Sequence, residues 1–349
     1  MIILGIETSC DETAAAVVRN GLDILSSEVA TQHEFHGPFM GVVPELASRA
    51  HVMKVNRVIE RALKAARIKA GKLDAIAVTV GPGLAGALLV GRMAAEALGW
   101  AHDVPVYGAN HIEGHLLSAA LADRRLVPPF LGLVVSGGHT ELILARNWGD
   151  YRLLGRTRDD AAGEAFDKVA KMMGLGYPGG PIIDRLAKRG DASKSPLPKP
   201  WVNGTWDFSF SGLKTAVLYK LRTKKSWTAA EKRDICAGFQ RSVVDVLVGK
   251  AIAAAQLLGL RHIALGGGVA ANSLLRSELE RAAVLKGLAV TVPSLALCTD
   301  NAAMIAASVH FKLKNRPALV PGQLKIDPQL HIPFIEALAA GPVFSASRR

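Results

Sequence analysis

Two stretches 127 residues apart read alike in this 349-residue chain. Leu4, Gly5, Ser9 and Thr13 recur as Leu131, Gly132, Ser136 and Thr140, and Ile6 falls on Leu133. Each copy is an apolar run, a polar turn and a second apolar run. Residues 2–6 and 14–19 flank Glu7-Thr8-Ser9-Cys10-Asp11-Glu12-Thr13; residues 130–135 and 141–145 flank Ser136-Gly137-Gly138-His139-Thr140. Short apolar runs bounded by turn residues read as strands. The repeat therefore predicts two related lobes, each opening with a hairpin that turns polar groups toward a shared cleft, a natural ligand site. Strand patterns at 73–80 and 262–265 alternate with helical patterns at 85–98, 161–173 and 229–258, and further helices follow Gly268 and Asp300. This alternation is the signature of an α/β protein. Residues 190–207, rich in Pro, Ser and Lys, read as a loop.

Composition excludes several classes. Half the residues are hydrophobic and 21% are charged, enough to bury a core and too apolar for a disordered chain. Aromatics make up only 5%, so Ala, Val, Leu and Ile must fill that core. Three cysteines, Cys10, Cys236 and Cys298, lie far apart with no C-x-x-C pair, against a disulfide framework or a structural zinc site. No histidine sits beside any of them, so buried structural thiols are expected rather than a nucleophile. Residues 1–6 have no basic segment of a signal peptide, and no apolar run approaches a membrane span. The expectation is a cytosolic protein with no membrane association.

The charge is uneven. Lys and Arg number 42 against 30 Asp and Glu, a net +12. Between Arg185 and Lys225 lie ten basic and two acidic residues, a surplus of eight. Trp201, Trp206, Phe208, Phe210 and Tyr219 are interleaved with these cations. Cations attract phosphates and aromatics stack on unpaired bases, so the stretch has the composition of an RNA-facing surface. A solvated surface whose aromatics serve the core has the same composition.

Four glycine clusters, at 81–91, 137–138, 176–181 and 266–268, are expected at strand–helix junctions, where free backbone N–H groups and a helix N-terminus favour a nucleotide or phosphate. None is a P-loop, and Gly81-Pro82-Gly83-Leu84-Ala85-Gly86 lacks the acid that a dinucleotide fingerprint requires. His111-Ile112-Glu113-Gly114-His115 sets two histidines four apart, on one face if helical. The pattern is not H-E-x-x-H, because Ile112 stands where a zinc protease has glutamate. A third ligand would complete a two-His, one-carboxylate site for Fe(II) or Zn(II). Asp300 is a candidate, and an N-cap for the helix after it is the alternative.

Eight longer motifs occur in order: Gly5-Ile6-Glu7-Thr8-Ser9-Cys10-Asp11-Glu12-Thr13; Val43-Pro44-Glu45-Leu46-Ala47-Ser48-Arg49; His111-Ile112-Glu113-Gly114-His115; Val135-Ser136-Gly137-Gly138-His139-Thr140; Asp160-Ala161-Ala162-Gly163-Glu164-Ala165-Phe166-Asp167-Lys168; Phe208-Ser209-Phe210-Ser211-Gly212-Leu213-Lys214; Gly266-Gly267-Gly268-Val269-Ala270-Ala271-Asn272; and Cys298-Thr299-Asp300-Asn301. In these the chain resembles the bacterial tRNA N6-adenosine threonylcarbamoyltransferases, the TsaD family, formerly described as O-sialoglycoprotein endopeptidases. The resemblance spans about residues 2–316 and leaves 190–205 and the tail after 317 without a motif.

The resemblance implies an actin-like ATPase (ASKHA) fold of two duplicated lobes with a nucleotide cleft between them. The lobes would span 1–128 and 129–298, the second including the basic insert 185–225, with a helix at 299–317 closing back on the first and a tail at 318–349. It implies transfer of threonylcarbamoyl from threonylcarbamoyl-AMP to N6 of the adenosine 3′ of the anticodon, in tRNAs reading codons that begin with A. It implies one divalent metal, iron favoured over zinc, on His111, His115 and Asp300, and adenylate binding by Val134, Val135, Ser136, Gly137, Gly138, Asp167, Gly180, Asp184 and Asn272. Partners would be tRNA, a paralogous actin-like subunit of TsaB type and a small ATPase of TsaE type. Asp11 or Glu12 is expected to orient or deprotonate N6, and Lys194, Lys199, Arg222, Lys224 and Lys225 to face tRNA. The alternatives are a phosphotransferase acting on a small metabolite and a non-catalytic, nucleotide-sensing tRNA scaffold. The same fold hosts the first, which leaves the histidine pair unexplained.

Overall fold

A computed structural model describes residues 1–315 and 324–333; the rest of the expected tail lies outside the described residues. Two compact units are present: Met1–Val127 with Asn147–Asp150 and Pro293–Ile332, and Pro128–Arg146 with Tyr151–Val292 and the residues from Pro333.

The first unit holds β1 (Ile2–Glu7), β2 (Glu12–Arg19), β3 (Asp23–Thr31), α1 (His33–His36), α2 (Pro44–Ala66), β4 (Ala75–Gly81), α3 (Ala85–His102), β5 (Val106–Asn110) and α4 (His111–Ala122). Its sheet runs β3-β2-β1-β4-β5, with β1 antiparallel to β2 and parallel to β4. Strands such as Ala14-Ala15-Ala16-Val17-Val18 are apolar at every position because both sheet faces are covered. On one face Leu4, Ile6, Val17, Ile76 and Val78 pack on Val55, Val58 and Ile59 of α2. On the other, Ile3, Ala14, Ala16, Ala75 and Ala77 pack on Ala302, Ala303, Ala306 and Val309.

The second unit holds β6 (Phe130–Val135), β7 (Thr140–Asn147), β8 (Asp150–Arg156), α5 (Ala162–Met172), α6 (Gly179–Ala187), α7 (Ser211–Arg222), α8 (Ala229–Leu257), β9 (His262–Gly266), α9 (Ser273–Val284) and β10 (Ala289–Thr291). The chain then forms α10 (Leu295–Cys298) and α11 (Ala302–Asn315) of the first unit. The second sheet runs β10-β9-β6-β7-β8, the same order as the first when read from β8. The hairpins share their register. Gly5 faces Ala16 and Gly132 faces Ile143, each 127 residues on. The repeat is thus a repeat of topology.

Several elements were not legible in the chain. Helix α2 starts on Pro44 at a position that needs no N–H donor, and its buried residues 47, 50, 51, 55, 58, 59 and 62 follow helical spacing. Strands β3, β8 and β10 and helices α6 and α7 were likewise unanticipated. Only two glycine clusters join a strand to a helical turn, at Gly81 and Gly266; Gly137-Gly138 is a hairpin turn, and the cluster at 176–181 links two helices.

Packing also revises the aromatic stretch. Lys250 of α8 is buried, and its Nζ donates to the carbonyls of Val202 and Thr205 at 3.0 Å and to that of Asp207. Its charge lies over the rings of Trp201 and Phe208. This one cation draws the segment inward, so Trp206, Phe208 and Phe210 are core residues that no base can reach. Tyr219 alone of the five is well exposed, at 63%. Among the described residues no helix is long and apolar enough to cross a membrane.

Helix α11 lies on β1 because Gly5 has no side chain: a Cβ there would sit 2.0 Å from the Ala302 carbonyl oxygen. Gly5→Ala should destabilise the protein by about 3 kcal/mol through overpacking. Denaturant unfolding checks this, and native stability in the variant would refute the close contact.

Candidate functional site

Helix α4 begins at His111 because the Asn110 side chain accepts from the N–H groups of Ile112 and Glu113, at 2.8 and 3.1 Å. His115 follows one turn later, and the two rings stand 4.6 Å apart, edge to face. The residue that caps α11 is Asn301, whose Oδ1 accepts from Met304 N–H at 3.0 Å. Asp300 is therefore not the cap. Its Oδ1 lies 3.6 Å from His111 Nε2 and 3.3 Å from His115 Nε2. One ligand atom from each of the three residues falls within 4.8 Å of the others.

This set fits a metal ion. His115 is wholly buried, and among the described residues neither ring nitrogen makes a well-formed hydrogen bond, although Nε2 lies 3.3 Å from Asp300 Oδ1. An orphaned buried imidazole nitrogen is rare unless something completes it, and an ion at Nε2 would. Two imidazoles and a carboxylate match the donor preferences of Fe(II) and Zn(II) and leave coordination positions open. Burial, joined by the neighbouring His111 charge, holds His115 below the usual histidine range against the pull of Asp300, so it stays neutral and able to ligate. Burial also works to lower His111, but Asp300 and Glu7 outweigh it and raise it to about 9. Glu7 Oε2 accepts from His111 Nδ1 at 3.0 Å and from Thr79 Oγ1 at 2.6 Å.

Asp11 ends the β1–β2 turn and Glu12 opens β2, 7% and 8% exposed. Burial first, then Asp300 and Asp11, push Glu12 well above the usual carboxylate range. Burial, Asp11, Asp300 and Glu12 likewise raise the Cys10 thiol, which argues against a thiolate nucleophile. Cys236 and Cys298 are buried, as expected of structural thiols.

In the second unit the turn after β6 closes tightly, with Ser136 N–H donating to the His139 carbonyl at 2.7 Å. Gly137 and Gly138 are exposed there, and nothing stands within 4 Å of where a Cβ would be. Val134 and Val135 point into the core, so only their backbone is available to a ligand. Asp167 Oδ1 accepts from Gly179 N–H at 2.7 Å, which draws the loop before Gly180 onto α5. Asp184 Oδ1 accepts from Ser273 Oγ at 2.8 Å, and Asn272 Nδ2 donates to Gln240 Oε1 at 3.0 Å. Asn272 Oδ1 also caps α9 by accepting from Leu275 N–H. The fold thus joins Asp184, Asn272, Ser273 and Gln240 at one helix start.

The expected RNA-facing cations divide. Lys199 pairs with Asp245 at 2.8 Å, and Lys224 pairs with Glu231 and lies over Trp227. Lys214, one of the ten basic residues, pairs with Asp160 at 2.6 Å. Lys194, Arg222 and Lys225 are exposed.

A family model described as TsaD: tRNA N6-adenosine threonylcarbamoyltransferase matches residues 23–307. The chain belongs to the TsaD family. Relatives named tRNA N6-adenosine threonylcarbamoyltransferase include that of Endomicrobium trichonymphae, 50% identical over 318 residues, covering 90% of this chain and 93% of the relative. That of Anaeromyxobacter dehalogenans strain 2CP-C is 54% identical over 319 residues, covering 90% and 96%. The solved structures it resembles share the fold at low identity. Component A of the Acidaminococcus fermentans (R)-2-hydroxyglutaryl-CoA dehydratase gives a TM-score of 0.53 at 18% identity, covering 90% of this chain and all of that one. Full-length HypF in the phosphate- and nucleotide-bound form gives 0.60 at 14%, covering 90% and 56%. The fold is the actin-like ATPase fold.

Within this TsaD chain, reading the sequence gave no role to Glu7, Thr79, Gln240 or Ser273. Glu7 carried a signal nonetheless: a carboxylate closing an otherwise apolar strand. Thr79, Gln240 and Ser273 carried none, since each matters through a neighbour remote in sequence. Replacing His115 by Ala should abolish stoichiometric binding of divalent metal. Elemental analysis of purified protein checks this, and full metal content in the variant would exclude the site.

Proposed function

We infer that this chain transfers a threonylcarbamoyl group to N6 of adenosine in tRNA. Its support is membership of the TsaD family at 50–54% identity over 90% of the chain, together with the buried His111, His115 and Asp300 cluster. The donor in this reading is threonylcarbamoyl-AMP, a mixed anhydride with an activated carbonyl. N6 attacks that carbon, the bond from carbon to the phosphate oxygen breaks, AMP departs and one N6 proton is lost. The Val134–Gly138 backbone, Asp167, Gly180, Asp184 and Asn272 bind the adenylate, and exposed N–H groups at Gly137 and Gly138 steady charge on the leaving group. Asp11 or Glu12 orients N6 or takes its proton. A divalent ion, Fe(II) in preference to Zn(II), would be held by His111, His115 and Asp300 and supply Lewis acidity. The protein works in the cytoplasm with a TsaB-type paralogue and a TsaE-type ATPase.

Reconstitution with threonine, bicarbonate, ATP, the adenylate-forming enzyme, partner proteins and tRNA tests the reading. Mass spectrometry of the nucleosides should find the modified adenosine with the native chain and a loss of roughly 100-fold or more with Asp300→Ala. Intact tRNA binding without transfer would favour a scaffold; phosphorylation of a small metabolite would favour a kinase.

Lys194, Lys199, Arg222, Lys224 and Lys225 form the proposed tRNA-facing set, with the exposed Arg222 and Lys225 its clearest test. Arg222→Glu with Lys225→Glu should weaken tRNA binding and flatten its logarithmic salt dependence by about 2, one per lost phosphate contact. Unchanged affinity across a salt titration would remove these residues from the interface.

A further inference from the structure

Glu7 is the most deeply buried carboxylate of the first unit, with no exposed surface. A charge in such a place is strongly unfavourable unless its oxygens are all bonded, and an apolar residue would fill a strand end more readily. Its bonds run in three directions. Oε2 accepts from Thr79 Oγ1 on the neighbouring strand at 2.6 Å and from His111 Nδ1 at 3.0 Å. Oε1 accepts from Ser9 N–H at 2.5 Å, in the turn that leads through Asp11 to Glu12 at the start of β2. An ionised carboxylate can only accept, so His111 Nδ1 must carry the hydrogen. That leaves Nε2, on the side of Asp300 and His115, as the ligating atom.

We propose that Glu7 is a positioning residue of the metal centre, fixing the tautomer and ring plane of His111 and tying that ring to the β1–β2 turn through Ser9. The proposal rests on the reading of His111, His115 and Asp300 as metal ligands. Carboxylate partners of ligating histidines set ring orientation and raise ligand basicity. Glu7 meets the geometric requirement from a different element, β1, while Thr79 on β4 holds its own oxygen in place. Glutamine cannot replace it. Ser9 N–H and His111 Nδ1–H both need an acceptor, and an amide offers one acceptor and one donor, so one of the two bonds must fail or the imidazole must change tautomer.

The test uses the full chain and Co(II), whose visible absorption reports ligand geometry, with affinity read by competition against a chelator. Glu7→Gln should lower Co(II) affinity by about 10–100-fold and shift the absorption bands. Thr79→Val, which loosens Glu7 without removing it, should lower affinity in the same direction by less than about 10-fold. Native affinity and spectrum in Glu7→Gln would overturn the proposal. Should that variant fail to fold, unchanged Co(II) affinity in Thr79→Val would overturn it instead. His115→Ala separates the two levels: if the native chain binds Co(II) no better than this variant, the metal reading itself fails and the proposal with it. If the native chain does bind better and Glu7→Gln matches it, only the role of Glu7 is lost.

Discussion

The close approach of α11 to β1 and α4 is the contact on which the first unit depends. Gly5 admits the Ala302 carbonyl where any side chain would collide, and Gly114 admits Ile305 and Met304 between the two histidines. Alanines on α11 meet alanines on β1's neighbours, so the layer is thin and its backbones are near. The start of α11 is thereby brought to the start of α4, and a carboxylate 185 residues after His115 comes within ligand distance of it. Asn301 caps α11, and Asp300 beside it faces the two histidines.

Electrostatics follow from that packing. The buried Glu7, Asp11 and Glu12 crowd His111, His115 and the partly exposed Asp300. Burial first, then the neighbouring Asp300 and Asp11, raise Glu12, while burial works to raise Glu7 as well but His111 outweighs it and Glu7 falls below its usual value. Crowded acids beside two imidazoles are the donor set that a divalent cation would take. The second unit solves a different problem. Its polar residues are spent on shaping loops: Asp167 holds Gly179, Asp184 holds Ser273, and Asn272 both caps a helix and meets Gln240. Backbone N–H groups around Gly137 remain on the surface, as a phosphate-bearing ligand requires.

Much of this was legible residue by residue. The two hairpins were readable because both faces of each sheet are buried, which turns strands into uninterrupted apolar runs, and because the 127-residue offset preserved strand pairing. The histidine pair was readable because helical geometry places i and i+4 on one face. Helix α2 is hard to read in the sequence because its apolar positions are diluted by eight charged or amide-bearing residues. The aromatics among the cations misled for a related reason. Composition records that Trp206, Phe208 and Phe210 lie among lysines, but the buried ammonium of Lys250, forty residues away, decides that they face inward.

By itself the sequence determined the α/β class, the duplication, the family and the identity of the candidate ligands, since each is written in local spacing or in contiguous motifs. The tertiary structure alone decided which acid caps α11 and which faces the histidines, and that Glu7 meets His111. It also decided which cations are tied down by partners and which aromatics are core. Those outcomes depend on distances between residues far apart in the chain, set by how closely helices and strands can pack, and no local pattern encodes them.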